Sequence, residues 1–136
     1  MTVLCSVAYC TAFVAAVQIG RQIRMSAFHR LADRSTPLVA AIRAYEQKHG
    51  SPPESLEALV PEFLPSVPST GMGAYPEYQY CFAPRHYGGN PWVLIVPTSS
   101  GYLNFDQFMY FPLANYPRTG YGGSLERISD WAYVHE

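Results

Sequence analysis

Residues 36–68, TPLVAAIRAYEQKHGSPPESLEALVPEFLPSVP, decide how the chain folds. Thr36 is suited to cap a helix, and Pro37 is tolerated at a first helical position. Leu38, Val39, Ile42 and Tyr45 then recur at helical spacing, which places one face on a core. Lys48 and His49 fall in the last turn, where cations suit the helix dipole, and Gly50 supplies a left-handed stop. Pro52-Pro53 opens a second short helix with Leu56, Leu59 and Val60 as its buried edge, and Pro61 ends it. Phe63-Leu64-Pro65 and Val67-Pro68 read as an extended connection.

Downstream the period changes from helix to strand. Tyr78, Tyr80 and Phe82 alternate with Gln79 and Cys81, as on a half-buried strand. Gly88-Gly89-Asn90-Pro91 marks a turn, and Trp92–Val96 is a continuous apolar run that suits a central strand. Residues 102–111 read as a third strand, residues 113–127 as a long Gly- and Tyr-rich loop, and Trp131–Val134 as a fourth strand at the sheet edge. Helices first and strands afterwards predict an α+β domain with a three- to four-stranded antiparallel sheet.

Upstream, Val3–Ile19 carries no charge and is almost wholly apolar. A membrane-spanning helix needs about 20 apolar residues, with roughly 17 the lower limit. Arg21, Arg24, Arg30 and Arg34 follow at once. The expected organisation is a membrane anchor over residues 1–20, a basic amphipathic juxtamembrane segment over 21–35 with Ile23, Phe28 and Leu31 as its apolar stripe, and a domain over 36–136. A cleaved signal lacks the basic stretch before the run, and a core helix of a soluble fold is the remaining alternative.

Charge follows the same division. Residues 1–35 hold four Arg against Asp33, net +3, and the remainder holds five Lys or Arg against nine Asp or Glu, net −4. The basic part adjoins the anchor, where it can meet anionic headgroups. The domain has no basic patch, so nucleic acid is not an expected partner. Three cysteines, two of them in the apolar run, supply neither a disulfide framework nor zinc spacing.

Ala41-Ile42-Arg43-Ala44-Tyr45 leading to Gly50, then Pro53–Pro61 and the exit through Phe63-Leu64 to Val67-Pro68, resembles the segment after the long helix in type IV pilin-like proteins, the major pseudopilin of bacterial type II secretion above all. The motif similarity covers about 28 residues, 41–68, and the rest is similarity of layout. The family's early glycine with a glutamate at the fifth position after it has no counterpart, since the first glycine is Gly20, followed by Arg21. The resemblance implies a single-pass protein of the bacterial inner membrane with its domain outside the cytoplasm, acting in a secretion or pilus-type assembly with copies of itself or other pilin-like subunits. Arginines after the apolar run would by themselves favour a cytoplasmic domain. The resemblance also brings in calcium, for which Asp106, Glu126 and Asp130 are the candidate hard-oxygen ligands, although no compact Asp-rich run is present.

No reaction is specified by the residues, so the chain is not expected to be an enzyme or to carry a cofactor. Asp106 and Asp130 form the best carboxylate pair, and His86 beside the Gly-Gly turn completes a small-hydrolase alternative. Alternation puts Asn104 and Asp106 on one face of a strand, most simply a solvated one. Gly120–Ser124 lacks the strand–loop–helix context of a phosphate cradle. Tyr110, Phe111, Tyr116, Tyr121, Trp131 and Tyr133 crowd the C-terminal region. They read as a core of rings, with Trp131 buried, or as an aromatic surface in which Tyr116, Tyr121 and Trp131 grip a glycan or protein partner.

Overall fold

A computed structural model of the chain describes residues 2–99, 105–118 and 123–135; within the N-terminal helix, side chains are described at Tyr9 and from Thr11 onward. One helix, α1 (Thr2–His49), is followed by a 3-10 turn at Leu56–Leu59 and five strands: β1 (Gln79–Phe82), β2 (Trp92–Pro97), β3 (Gln107–Tyr110), β4 (Ser124–Ile128) and β5 (Trp131–His135). The strands form one antiparallel sheet in the order β1-β2-β3-β5-β4. The architecture is α+β, as expected.

α1 runs through Pro37 without a break, so Thr36 does not start a new helix. Proline there removes one backbone hydrogen bond. Packing overrides that loss: Phe28, Leu31, Ser35, Leu38 and Ile42 recur every three or four residues and are all buried. Ser35 donates its hydroxyl back to the Leu31 carbonyl at 2.6 Å and shares a 2.8 Å hydrogen bond with the Tyr78 hydroxyl. The helix stops where expected, with Gly50 at φ +76° and its N–H on the Glu46 carbonyl.

The second helix is reduced to the 3-10 turn. The short stretch between Pro53 and Pro61 allows few α-helical hydrogen bonds to offset the cost of nucleation. Leu56 and Leu59 still point inward, because residues three apart eclipse on a 3-10 turn. The extended connection beyond it keeps Phe63, Leu64 and Val67 against the core.

The helix-facing side of the sheet is a field of rings. Phe28 stacks on Phe108 at 4.9 Å, Phe108 on Trp131 at 4.8 Å, and the contacts continue through Tyr110 and Trp92 to Tyr80 on β1. On the opposite side Val93, Ile95, Met109, Phe111 and Val134 are buried under Cys81, Tyr87, Tyr116 and Leu125. Burial on both faces explains why β2 is a continuous apolar run.

Three expectations about the C-terminal part change. β3 begins at Gln107, and residues 102–104 of the expected strand lie outside the described residues. The strand beginning at Trp131 is interior, between β3 and β4. The edge belongs to β4, which lies within and just beyond the stretch expected to be loop; its polar SLERI sequence lacks the alternation that identifies a strand. A two-residue turn joins β4 to β5, with Ser129 in the left-handed region at φ +53°.

The segment over residues 21–35 is not separate from the domain. Phe28, Leu31 and Ala32 belong to its core, whereas Ile23, expected on the same stripe, is 66% exposed. The packed stripe passes instead through Arg24, four residues before Phe28. N-terminal to it the helix leaves the sheet, with Phe13, Val14, Val17 and Ile19 exposed. Among the described residues no helix is long and apolar enough to cross a membrane. The side chains of residues 3–8 and 10, much of the apolar run, lie outside them.

Ile42 has no exposed surface, so Ile42→Ala should lower stability by about 2–5 kcal/mol in chemical denaturation. A chain starting at Arg21 should fold, and one starting at Thr36 should not, because it lacks Phe28 and Leu31. Cooperative melting of the shorter chain at an unchanged temperature would show that the stem is dispensable.

Candidate functional site

The strand register arranges the helix-facing side chains in rows across the sheet. One row is Tyr80, Leu94, Tyr110, Trp131 and Ile128. The next is Val96, Phe108, Tyr133 and Glu126. Beyond it His135 pairs with Ser124, and the Asp106 carbonyl accepts from the Thr98 N–H at 2.9 Å. The face therefore changes from apolar to polar toward the N-terminal end of the packed helix. Arg43 reaches Tyr110, Phe28 covers Phe108, Arg24 meets the row of Asp106, and Arg21 meets Glu126.

Asp106 is the centre of the polar end. It lies just before β3 and is 1% exposed, so it is not on a solvated face. Arg24 Nη1 donates to its Oδ2 at 3.2 Å and to the Tyr133 hydroxyl at 3.0 Å. Tyr133 donates its hydroxyl to the same Oδ2. His135 Nδ1 lies 3.2 Å from Oδ1, which makes Nδ1 the donating ring nitrogen when Asp106 is a carboxylate. Burial and then the hydrogen bond to Asp106 push the Tyr133 hydroxyl up to about 12, with Arg24 opposing.

A groove of about 590 Å³ opens beside this cluster, between α1 and the sheet edge. Arg21, Arg24 and Met25 form its helix wall, and Ser124, Glu126 and His135 its sheet wall. From opposite walls, Arg21 Nη2 and Glu126 Oε2 come within 3.3 Å, and both side chains are exposed.

The expected site residues separate. Asp106 and Glu126 lie at the same end of the sheet, each engaged by an arginine, while Asp130 is exposed in the β4–β5 turn. Among the described residues no group of three His, Cys, Asp or Glu side chains could hold a metal ion. His86 is exposed on the turn before β2; the imidazole that reaches Asp106 belongs to His135. Trp131 is 2% exposed and stacked on Phe108, so its ring is core and is not open to a partner. Tyr116 is half-buried on the other face, stacked on Phe111 at 4.6 Å and covered by the Arg127 guanidinium at 4.3 Å. Its hydroxyl accepts from the Phe111 N–H at 2.7 Å and donates to the Asp130 carbonyl at 2.8 Å, and burial raises its pKa. Tyr121 and the glycines at 120 and 122 lie outside the described residues.

Sequence reasoning gave no site role to Arg24 or His135, and it set Ser124 aside as the end of a glycine-rich stretch. The signal for Arg24 was its place on the packed stripe, and that for His135 was one more residue of β5 on the face of Tyr133. No family model, no curated protein and no solved structure matches the chain.

Tyr133→Phe removes one donor from the buried Asp106 and should cost about 1–3 kcal/mol at neutral pH. The native hydroxyl keeps its proton to about pH 12, whereas an unfolded tyrosine loses it near 10. Its stabilising contribution is thus complete below about 10 and lost as the pH rises toward 12. Denaturation midpoints between pH 9 and about 11.5 should fall less steeply in Tyr133→Phe; parallel curves would exclude the linkage.

Proposed function

We propose that the chain is a membrane-anchored, pilin-like structural component, its apolar stem held in the membrane or among the stems of other subunits of a secretion-type assembly, its domain outside the cytoplasm. The observation that carries the reading is one 48-residue helix divided between two environments. At about 1.5 Å per residue it is roughly 72 Å long, far beyond what the sheet can cover. From residue 24 on, one side is sealed on rings. Before that, large apolar side chains face outward on several sides: Phe13 is 63% exposed, and Tyr9, Val14, Val17 and Ile19 exceed half. A helix apolar around most of its circumference is suited to burial in lipid or in a helical bundle. Residues 41–68, the segment resembling pseudopilins, run from the last turns of α1 through the 3-10 turn toward the sheet, a layout that supports the reading.

The test is fractionation. The full chain should sediment with membranes and resist alkaline carbonate, and the chain from Arg21 should be released. Recovery of the full chain in the soluble fraction would overturn the reading.

A second reading follows from the His135–Asp106 contact: a small hydrolase with Ser124, directly across the ladder from His135, as nucleophile. Directly opposed side chains have Cβ atoms about 5 Å apart, which is close to the reach such chemistry needs. Against it, among the described residues no side-chain hydrogen bond joins Ser124 to His135, and Arg24 occupies the carboxylate that would support the imidazole. A fluorophosphonate probe should leave Ser124 unlabelled; labelling abolished by Ser124→Ala would favour the hydrolase.

A further inference from the structure

The groove beside the polar row occupies one level of the helix. Its helix wall begins at Val17 and Gly20, where the uncharged run ends, and continues to Arg21. The seventeen residues of that run span about 25 Å as a helix, a little less than the roughly 30 Å hydrocarbon core of a bilayer. A chain anchored by the run therefore holds the groove at headgroup depth. Resting on the membrane-anchored reading above, we propose that the groove is a binding site for the headgroup of one aminophospholipid, with the phosphate on Arg21 and the ammonium on Glu126.

Charge order supports this occupant. Arg21 lies on the side of the groove nearer the apolar stem, and Glu126 stands on the opposite, sheet wall. A glycerophospholipid presents its groups in the same sequence, acyl chains first, then phosphate, then amine. Val17, with the exposed Val14 and Phe13 farther up the helix, offers a track for an acyl chain. The Arg21–Glu126 pair is 67% and 47% exposed, so little holds it closed. A zwitterion can take each partner in turn without leaving either charge unmatched. Arg24 and Tyr133, both held by the buried Asp106, line the back of the groove. Ser124 and His135 add polar atoms where the phosphate would sit. The 590 Å³ volume is in the range of small-molecule sites. An anionic headgroup without an amine would take Arg21 from Glu126 and leave that carboxylate beside the phosphate without a counter-charge of its own. The site should therefore discriminate phosphatidylethanolamine from phosphatidylglycerol.

The experiment uses the full chain in nanodiscs of equimolar phosphatidylethanolamine and phosphatidylglycerol, with retained lipid counted by native mass spectrometry. The unaltered chain should retain one phosphatidylethanolamine, favoured about tenfold, the ratio that 1.4 kcal/mol produces. Arg21→Gln should lose retention of both lipids. Glu126→Gln should remove the preference and leave phosphatidylglycerol bound at least as well. Both residues are exposed, so neither change should disturb folding, which circular dichroism checks. Equal retention of the two lipids by the unaltered chain, or an unchanged ratio in Glu126→Gln, would overturn the headgroup site. Carbonate extraction separates the two ideas. A chain that carbonate releases overturns the anchored reading, and a resistant chain without lipid preference overturns only the site.

Discussion

A carboxylate without exposed surface must find donors inside the protein, and Asp106 finds them on two elements that are far apart in sequence. Arg24 comes from the helix, and Tyr133 and His135 come from β5. Hydrophobic contact alone would let a long helix slide or rotate on a sheet of rings at small cost. The buried carboxylate restricts that freedom through the Arg24 bond, with the Ser35–Tyr78 and Arg43–Tyr110 hydrogen bonds adding directional contacts farther along the helix. A pair such as Arg24–Asp106 adds little net stability over an apolar replacement, but removing one member strands the other. Its contribution is to the docking geometry. The burial energy comes from Phe28, Phe108 and Trp131, which each setting of the helix would exploit to some degree.

The rotation so held explains the division of the stem. Phe28, Leu31, Leu38 and Ile42 stand on one stripe, so they are all buried together, and Ile23 is carried outward. Arg24 occupies the position on that stripe where the field of rings ends. Its aliphatic part can lie along the helix–sheet boundary while its guanidinium reaches Asp106. A charged residue at the end of an apolar stripe is a readable mark of where the core stops.

Much of the fold was legible because local patterns and tertiary burial agree. The helical period at Leu38, Ile42 and Tyr45, the stop at Gly50 and the unbroken Trp92–Val96 run each follow from one rule, and the structure obeys it. Readings failed where a local rule met a stronger long-range one. Pro37 is a helix opener in isolation, yet the packed stripe on both sides carries the helix through it. β4 has no apolar alternation because Ser124 and Glu126, on its helix-facing side, border the polar groove, and its pairing with β5 comes from the tight turn at Ser129. The polar cluster was less legible for a different reason. Asp106 was noticed as a residue, but its partners lie 82 and 29 positions away, and a single sequence carries no record of such contacts.

The apolar stem remains the feature for which the domain alone has no use. An isolated helical segment of this length is marginal in water unless its side chains are covered, and from Tyr9 to Ile19 the sheet covers none of the large ones. The helix is nevertheless continuous with a packed one, so its backbone is nucleated from the domain side and needs only a low-polarity surrounding to persist. That asymmetry assigns the two ends different tasks. The sheet and its rings fix the helix in orientation and depth, and whatever surrounds the stem meets a rod already aimed. Where rod and sheet part, the exposed Arg21–Glu126 pair and the buried Asp106 cluster lie one helical turn apart. Between them the surroundings of the helix change from protein to stem, and polar atoms at that level can face outward without opening the core.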